Sequence, residues 1–290
     1  MTTPLNATIN QNGDRVYTVG TDGDRQYISV TSVLNALPKQ QWLIPWASRL
    51  AAERALDFQQ QPYHEWRGIL EPYGLLDGKT EDESIVNYIK SASREYTKDA
   101  GGLGDEVHTL VEHALKLPKE DIMSQLQSLA VQLGLTFDDQ GKCEALRRVE
   151  HFAAWYTTSP YRVIAQEFTV FNDTVGYAGS CDLALEHEKT GEWFYTDVKS
   201  GALREDASMQ LIAYVKGEYV YDAENNERKQ MPRGSGKFGG AMVIQTMKTK
   251  CKIAIVNEEN YEELWKTFRY LLEMKYGFLA MKQKDVFTIL

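Results

Sequence analysis

The apolar pattern of this chain changes period near residue 160, and that change confines it to a fold in which helices precede and then cover a sheet. Up to that point the segments 42–60, 83–93, 105–117, 119–133 and 141–158 have helix-forming composition and apolar residues at roughly 3.6-residue spacing. Beyond it, 161–171, 176–185, 192–198, 240–246 and 251–256 are rich in aromatic and β-branched residues and predict strands, with helices at 205–221 and 257–284. Before the helical region, 15–19 and 26–30 flank G-T-D-G-D and predict a hairpin, and Thr31 or Ser32 is expected to cap a short helix ending before Pro38. The order predicts an α/β protein with a central mixed sheet flanked by helices. We expect one compact domain over 1–290, in which residues 1–100 are a mainly helical subregion and the helical half packs against the sheet and walls a cleft.

Composition narrows the class. A chain of 290 residues with 43% hydrophobic and 25% charged side chains can bury a large core. It has no apolar run of membrane-spanning length, and its start, M-T-T-P-L-N-A-T, lacks a basic segment and an apolar one, so a cytoplasmic location without membrane contact is expected. Three widely spaced cysteines, Cys143, Cys181 and Cys251, suit reduced thiols and are too few to hold an iron–sulfur cluster. The net charge of −9 argues at first sight against nucleic acid, but phosphate contacts depend on local cations and a metal site adds carboxylates. Local cations occur at Arg228, Lys229, Arg233 and Lys237, within R-K-Q-M-P-R-G-S-G-K-F-G-G, and at Lys248, Lys250 and Lys252. Contact of Arg233 and Lys237 with a phosphate backbone is one reading of the glycine-rich run; a solvated turn is the other. The run is not a nucleotide-binding P-loop, because Met231 stands where the first glycine belongs and Phe238 replaces the Ser or Thr.

The chemistry-bearing residues lie in two groups. From 179 the chain reads G-S-C-D, then T-D-V-K-S-G from 196 and Q-L-I-A-Y from 210. A hairpin through the polar turn 186–191 folds Asp182 back toward Asp197, and strand alternation puts Asp197 and Lys199 on one side with Val198 directed into the core. Two acids, a lysine and a glutamine in this order suit metal-assisted cutting of phosphodiesters. In G-D-E-V-H-T-L-V-E-H, His108 and Glu112 are four apart and share a helical face with Gly104. A zinc-protease reading fails, since His108 and His113 are five apart, roughly 140° around a helix. Taken alone, D-V-K also reads as a surface ion pair on a strand.

Gly104 to His108 (G-x-x-x-H), Gly179 to Asp182 (G-x-x-D), Asp197 to Lys199 (D-x-K) and Gln210 to Tyr214 (Q-x-x-x-Y) occur together in this order. In that set the chain resembles the RecB-like branch of the PD-(D/E)XK nuclease superfamily, and its single-domain phage-type exonucleases in particular. The resemblance implies a restriction-endonuclease-like core and a divalent-metal-dependent DNA exonuclease that works from DNA ends or single strands, in phage or host recombination, replication or repair. It implies His108, Asp182 and Asp197 as ligands of Mg2+ or Mn2+, helped by the Val198 carbonyl. Lys199 is implied to hold the attacking water, Gln210 to orient Lys199 or a phosphate, and Tyr214 to pack beside the scissile bond. Glu167 matches an acid that some members place near the metal, and Glu112 is expected to back the ligands. A single-strand-annealing or single-strand-binding protein is the partner such an enzyme would work with. The alternatives are a structure-specific endonuclease of the same fold and a non-catalytic DNA-binding recombination accessory protein.

Overall fold

The computed structural model describes residues 6–20, 25–37, 40–75, 77–139, 141, 143–222 and 224–282; the predicted hairpin turn at 21–24, Pro38 and the predicted end of the last helix at 283–284 lie outside them. Strands β1 (Ala7–Ile9), β2 (Arg15–Val19) and β3 (Arg25–Ser29) form an antiparallel meander. The chain passes directly from β3 into α1 (Val30–Leu34), and Ser29 Oγ accepts the Ser32 N–H at 3.0 Å. Ser29 is therefore the cap in place of Thr31 or Ser32, because the Ser32 hydroxyl is occupied by the Arg15 N–H at 2.9 Å.

Two compact units follow from the contacts, one made of Met1–Leu37 with Leu103–Leu290 and the other of Pro38–Gly102. The smaller unit holds α2 (Gln40–Gln59), α3 (Tyr63–Leu70) and the first part of α4 (Glu81–Ala114). Its buried centre is Phe58, whose ring meets Trp66 at 4.6 Å and Tyr88 at 5.5 Å between centroids. A reciprocal capping box starts α4: Thr80 N–H donates to Glu83 Oε2 at 2.8 Å and Glu83 N–H to Thr80 Oγ1 at 3.2 Å. The sequence pattern predicts two helices here, 83–93 and 105–117. One helix runs through instead, since each glycine of A-G-G-L-G lowers helix propensity by only about 1 kcal/mol, and the unit boundary falls within that glycine-rich run.

The larger unit continues with α5 (Ile122–Gln132) and α6 (Glu144–Thr158), then β4 (Tyr161–Asn172), β5 (Tyr177–His187), β6 (Trp193–Lys199), α7 (Glu205–Val215), β7 (Tyr219–Asp222), β8 (Glu227–Lys229), β9 (Phe238–Thr246), β10 (Cys251–Ile255) and α8 (Tyr261–Lys282). Among the described residues the ten strands make one mixed sheet, so the protein is α/β. β5 is its pivot. Along one edge β5 pairs antiparallel with β4; the other edge is shared, with β3 parallel at Tyr177–Ala178 and β6 antiparallel at Leu183–Glu186. β9 lies parallel to β6 and pairs with β10. One apolar cluster joins the sheet to α1, α7 and α8 through Val33, Leu211, Ile212 and Phe268, and a second joins it to α4, α5 and α6 through Leu110, Leu126, Val149, Phe152 and Val198. No helix of the described residues is long and apolar enough to cross a membrane.

The predicted helix 205–221 stops at Val215, and Tyr219–Asp222 becomes a strand paired with β4. Gly217 is the cause. A Cβ there would lie 1.9 Å from Val170 Cγ1, so only glycine lets the chain turn this close to β4. Gly217→Ala should destabilise the protein by about 1–3 kcal/mol or more through overpacking. Val170→Ala in the same chain should recover part of that loss. Urea denaturation of the single and double variants measures both, and a double variant with additive losses would contradict the steric account.

Candidate functional site

The site grows out of the shared edge of β5. Between the residues paired with β3 and those paired with β6, the stretch Gly179–Asp182 has no strand on that edge among the described residues. Gly179 makes room for α7: a Cβ there would stand 2.7 Å from Tyr214 Cε1 and 2.9 Å from Val30 Cγ2. Three residues on, Asp182 Oδ2 accepts the Val198 N–H at 2.7 Å, replacing the strand partner that the handover from β3 to β6 removes.

Two further groups meet Asp182. His108, on the part of α4 belonging to the larger unit, brings Nδ1 to 3.4 Å from Asp182 Oδ2, and both side chains are nearly buried, at 12% and 5% exposed. Glu167 lies opposite Asp182 in register, between the pairs Gln166–Leu183 and Phe168–Cys181. Its φ of +46° is rare for a non-glycine residue within a strand and costs roughly 1–3 kcal/mol. The imidazole and the two carboxylates offer ligand atoms that all lie within 4.8 Å of one another. A nitrogen and two hard oxygens at that separation fit Mg2+ or Mn2+.

Asp197 and Lys199 emerge together from β6. Lys199 Nζ lies 2.7 Å from Asp197 Oδ2, a close ion pair without hydrogen-bond angles, and it donates to Gln210 Oε1 at 3.1 Å. Gln210 Nε2 donates in turn to the Tyr214 hydroxyl at 2.7 Å. One turn of α7 thus links the ring seated at Gly179 to the ammonium group. The Val198 side chain enters the apolar cluster beneath α4, α5 and α6 while its backbone N–H holds Asp182.

Burial, with charge crowding added to it, sets the protonation of the acids. Burial, then the neighbouring charges of Asp182 and Glu112, push the Glu167 carboxyl up to about 8. Burial raises Asp197 to about 6, against the pull of Lys199 and with the repulsion of Asp182. Burial alone would lower Lys199; the charges of Asp197 and Asp182 outweigh it and hold the ammonium above its ordinary range. Burial keeps Tyr214 a phenol well above its usual range. Glu112 is buried, with Oε1 accepting from Lys116 Nζ at 2.9 Å and Oε2 lacking a hydrogen-bond partner among the described residues. A cation near these carboxylates would relieve the crowding.

The structure thus brings together His108, Glu112, Glu167, Asp182, Asp197, Lys199, Gln210 and Tyr214, drawing Glu167 to His108 and Asp182 while Asp197 faces Lys199. It does not bring Arg233 and Lys237 to this group. Their loop is fastened to the turn of the β5–β6 hairpin, where Ser235 donates through N–H and hydroxyl to Glu186 and Lys237 lies 3.4 Å from Glu192. His113 turns back onto its own helix, near Thr109 O at 2.9 Å. The Gly104 position approaches Ser200 Oγ only at an ordinary 3.5 Å. Sequence reasoning missed Arg148, which donates to Ser200 O at 2.5 Å and Thr246 O at 3.0 Å and so fixes the chain leaving Lys199. On an amphipathic helix, beside Glu144 at 2.9 Å, it reads only as half of a helical ion pair. No protein-family model matches the chain, and no curated protein matches it.

Because Glu167 and Asp197 bind protons more tightly folded than unfolded, their contribution to stability is full at low pH and is lost as pH rises through about 6 and about 8. Melting temperatures in EDTA should therefore fall between pH 5 and pH 8.5. Glu167→Gln should flatten that slope, and Mg2+ or Mn2+ should raise the melting temperature most at the alkaline end. A variant whose pH profile parallels that of the parent would contradict the assignment.

Proposed function

We propose that the chain is a divalent-metal-dependent DNA exonuclease of the PD-(D/E)XK superfamily, built on a restriction-endonuclease-like core. The observation that carries this reading is the convergence of four separate sequence elements on one connected group: His108 from α4, Asp182 from β5, Asp197 and Lys199 from β6, and Gln210 with Tyr214 from α7. In a structural ion pair on a sheet surface, the lysine would have no reason to be fastened through a glutamine to a buried phenol.

His108, Glu167 and Asp182 would hold the cation, with Asp197 and the Val198 carbonyl adjoining. Bound there, Mg2+ or Mn2+ would lower the pKa of a water and offset negative charge on the phosphate. The remaining work belongs to the chain. Asp182, fixed by the Val198 N–H, cannot swing away when a phosphate arrives. Lys199, kept protonated by Asp197 and aimed by Gln210, presents a compact charge to the attacking oxygen and to the phosphoryl oxygens as they gain charge. Hydrolysis forms a bond from the water oxygen to phosphorus and breaks the bond to the leaving sugar oxygen, which takes up a proton. Glu112, engaged by Lys116, supports the charge balance of the group from α4.

The test is digestion of end-labelled linear single- and double-stranded DNA beside closed circles, in Mg2+, Mn2+ or EDTA. Loss of the linear molecules in metal alone, with circles spared, is the expected result. Lys199→Ala should lower the rate by about 100-fold or more. Cut circles would favour the endonuclease reading, and cleavage that survives in Lys199→Ala, or is absent under every metal, would overturn the proposal.

A further inference from the structure

Within the unit Pro38–Gly102 lies a cavity of about 380 Å3 whose walls, among the described residues, carry Lys79, Lys90 and Arg94 against one carboxylate, Asp77. Lys90 and Arg94 are four residues apart on α4, so they project from one helical face. Lys79 comes from the loop before that helix, and the loop is well braced. The N–H groups of Asp77 and Lys79 reach Gly74 O at 3.0 and 3.3 Å, and Asn87 Nδ2 donates to Tyr73 O at 3.1 Å, fastening the preceding turn to α4. Gly74 has φ +109°, and a Cβ there would stand 2.6 Å from Lys79 Cδ and 2.9 Å from its Nζ. The missing side chain is what lets the lysine lie along the wall.

None of the three cations forms an ion pair within 4.0 Å of a carboxylate among the described residues, although the chain has 41 acidic against 32 basic side chains. Lys79 also acts on the charge of Glu83, but that carboxylate is held first by the N–H and hydroxyl of Thr80 at 2.8 and 3.0 Å. Like charges four apart on a helix repel, and a third cation beside them adds to that repulsion. Three cations without a close ion pair, gathered around one braced, polar hollow in an acid-rich chain, suit an anion. Two ammonium groups and a guanidinium, which can take two oxygens at once, suit phosphate. The surplus of two positive charges, three cations less one carboxylate, matches consecutive phosphodiesters better than a lone carboxylate.

We propose that this cavity binds phosphate groups, carried by a nucleic-acid strand. That the phosphate belongs to nucleic acid rests on the nuclease reading; the affinity for phosphate does not. The test uses the full chain in EDTA, so that nothing is cut. Fluorescence anisotropy follows a labelled single-stranded oligonucleotide across a range of salt, and calorimetry follows inorganic phosphate. Lys90→Gln/Arg94→Gln should bind the oligonucleotide at least about tenfold more weakly, with a salt slope smaller by about 1.4 for two lost contacts. Lys189→Gln/Lys266→Gln, an equal charge change away from the cavity lining, should stay within about twofold of the parent. Equal melting temperatures for all three proteins show that the fold is intact. The proposal is overturned if the cavity variant keeps the parent's affinity and slope, or if the control loses as much. Phosphate binding that disappears in the cavity variant, from a protein that binds no oligonucleotide, would retain the phosphate site and remove the nucleic-acid strand as its occupant. Binding of neither probe by the parent would remove the site.

Discussion

The hydrogen bond from the Val198 N–H to the Asp182 carboxylate is the interaction on which the rest of the site depends. β4 occupies one whole edge of β5, so β3 and β6 must divide the other, and wherever one strand hands over to the next the backbone loses its partner. A buried N–H left unpaired costs about 1–3 kcal/mol. Asp182 removes that cost and thereby fixes its own orientation, which points its second role toward His108 and Glu167. The same break admits the Tyr214 ring over Gly179, and through Gln210 it determines where Lys199 sits. Structure and chemistry are coupled at one strand junction.

Charge completes the constraint. Four carboxylates, Glu112, Glu167, Asp182 and Asp197, crowd against two ammonium groups, Lys116 and Lys199. Without further positive charge, burial and this crowding together favour holding protons, chiefly on Glu167, whose carboxyl rises to about 8. A divalent cation would supply the two missing charges and let every acid ionise. The unfavourable backbone of Glu167 points the same way, since a strained φ persists only where the surrounding structure enforces it and where such strain is commonly tied to function.

Much of this was legible in the sequence because strand alternation and helical spacing are local rules. The hairpin that faces Asp182 toward β6, the shared side of Asp197 and Lys199, and the common face of His108 and Glu112 all follow from periods of 2 and 3.6. What could not be read depends on tertiary pairing. The positive φ of Glu167 within β4 has no signature in its residue type. Gly217 ends α7 because of Val170, 47 positions earlier in the chain, which no local propensity contains. The capping box at Thr80 and Glu83 was present in the letters, yet A-G-G-L-G masked how far the helix it starts would run. The glycine-rich loop carrying Arg233 and Lys237 reads as a phosphate contact, and its placement is decided by Glu186 and Glu192 on the hairpin turn.

The most direct measurement is anomalous diffraction at the manganese edge from crystals grown with Mn2+. The account predicts a single strong peak bonded to His108, Glu167 and Asp182, with Lys199 still on Asp197 and Gln210. An ion bound elsewhere, or none at this cluster in Mn2+ well above the protein concentration, would contradict it.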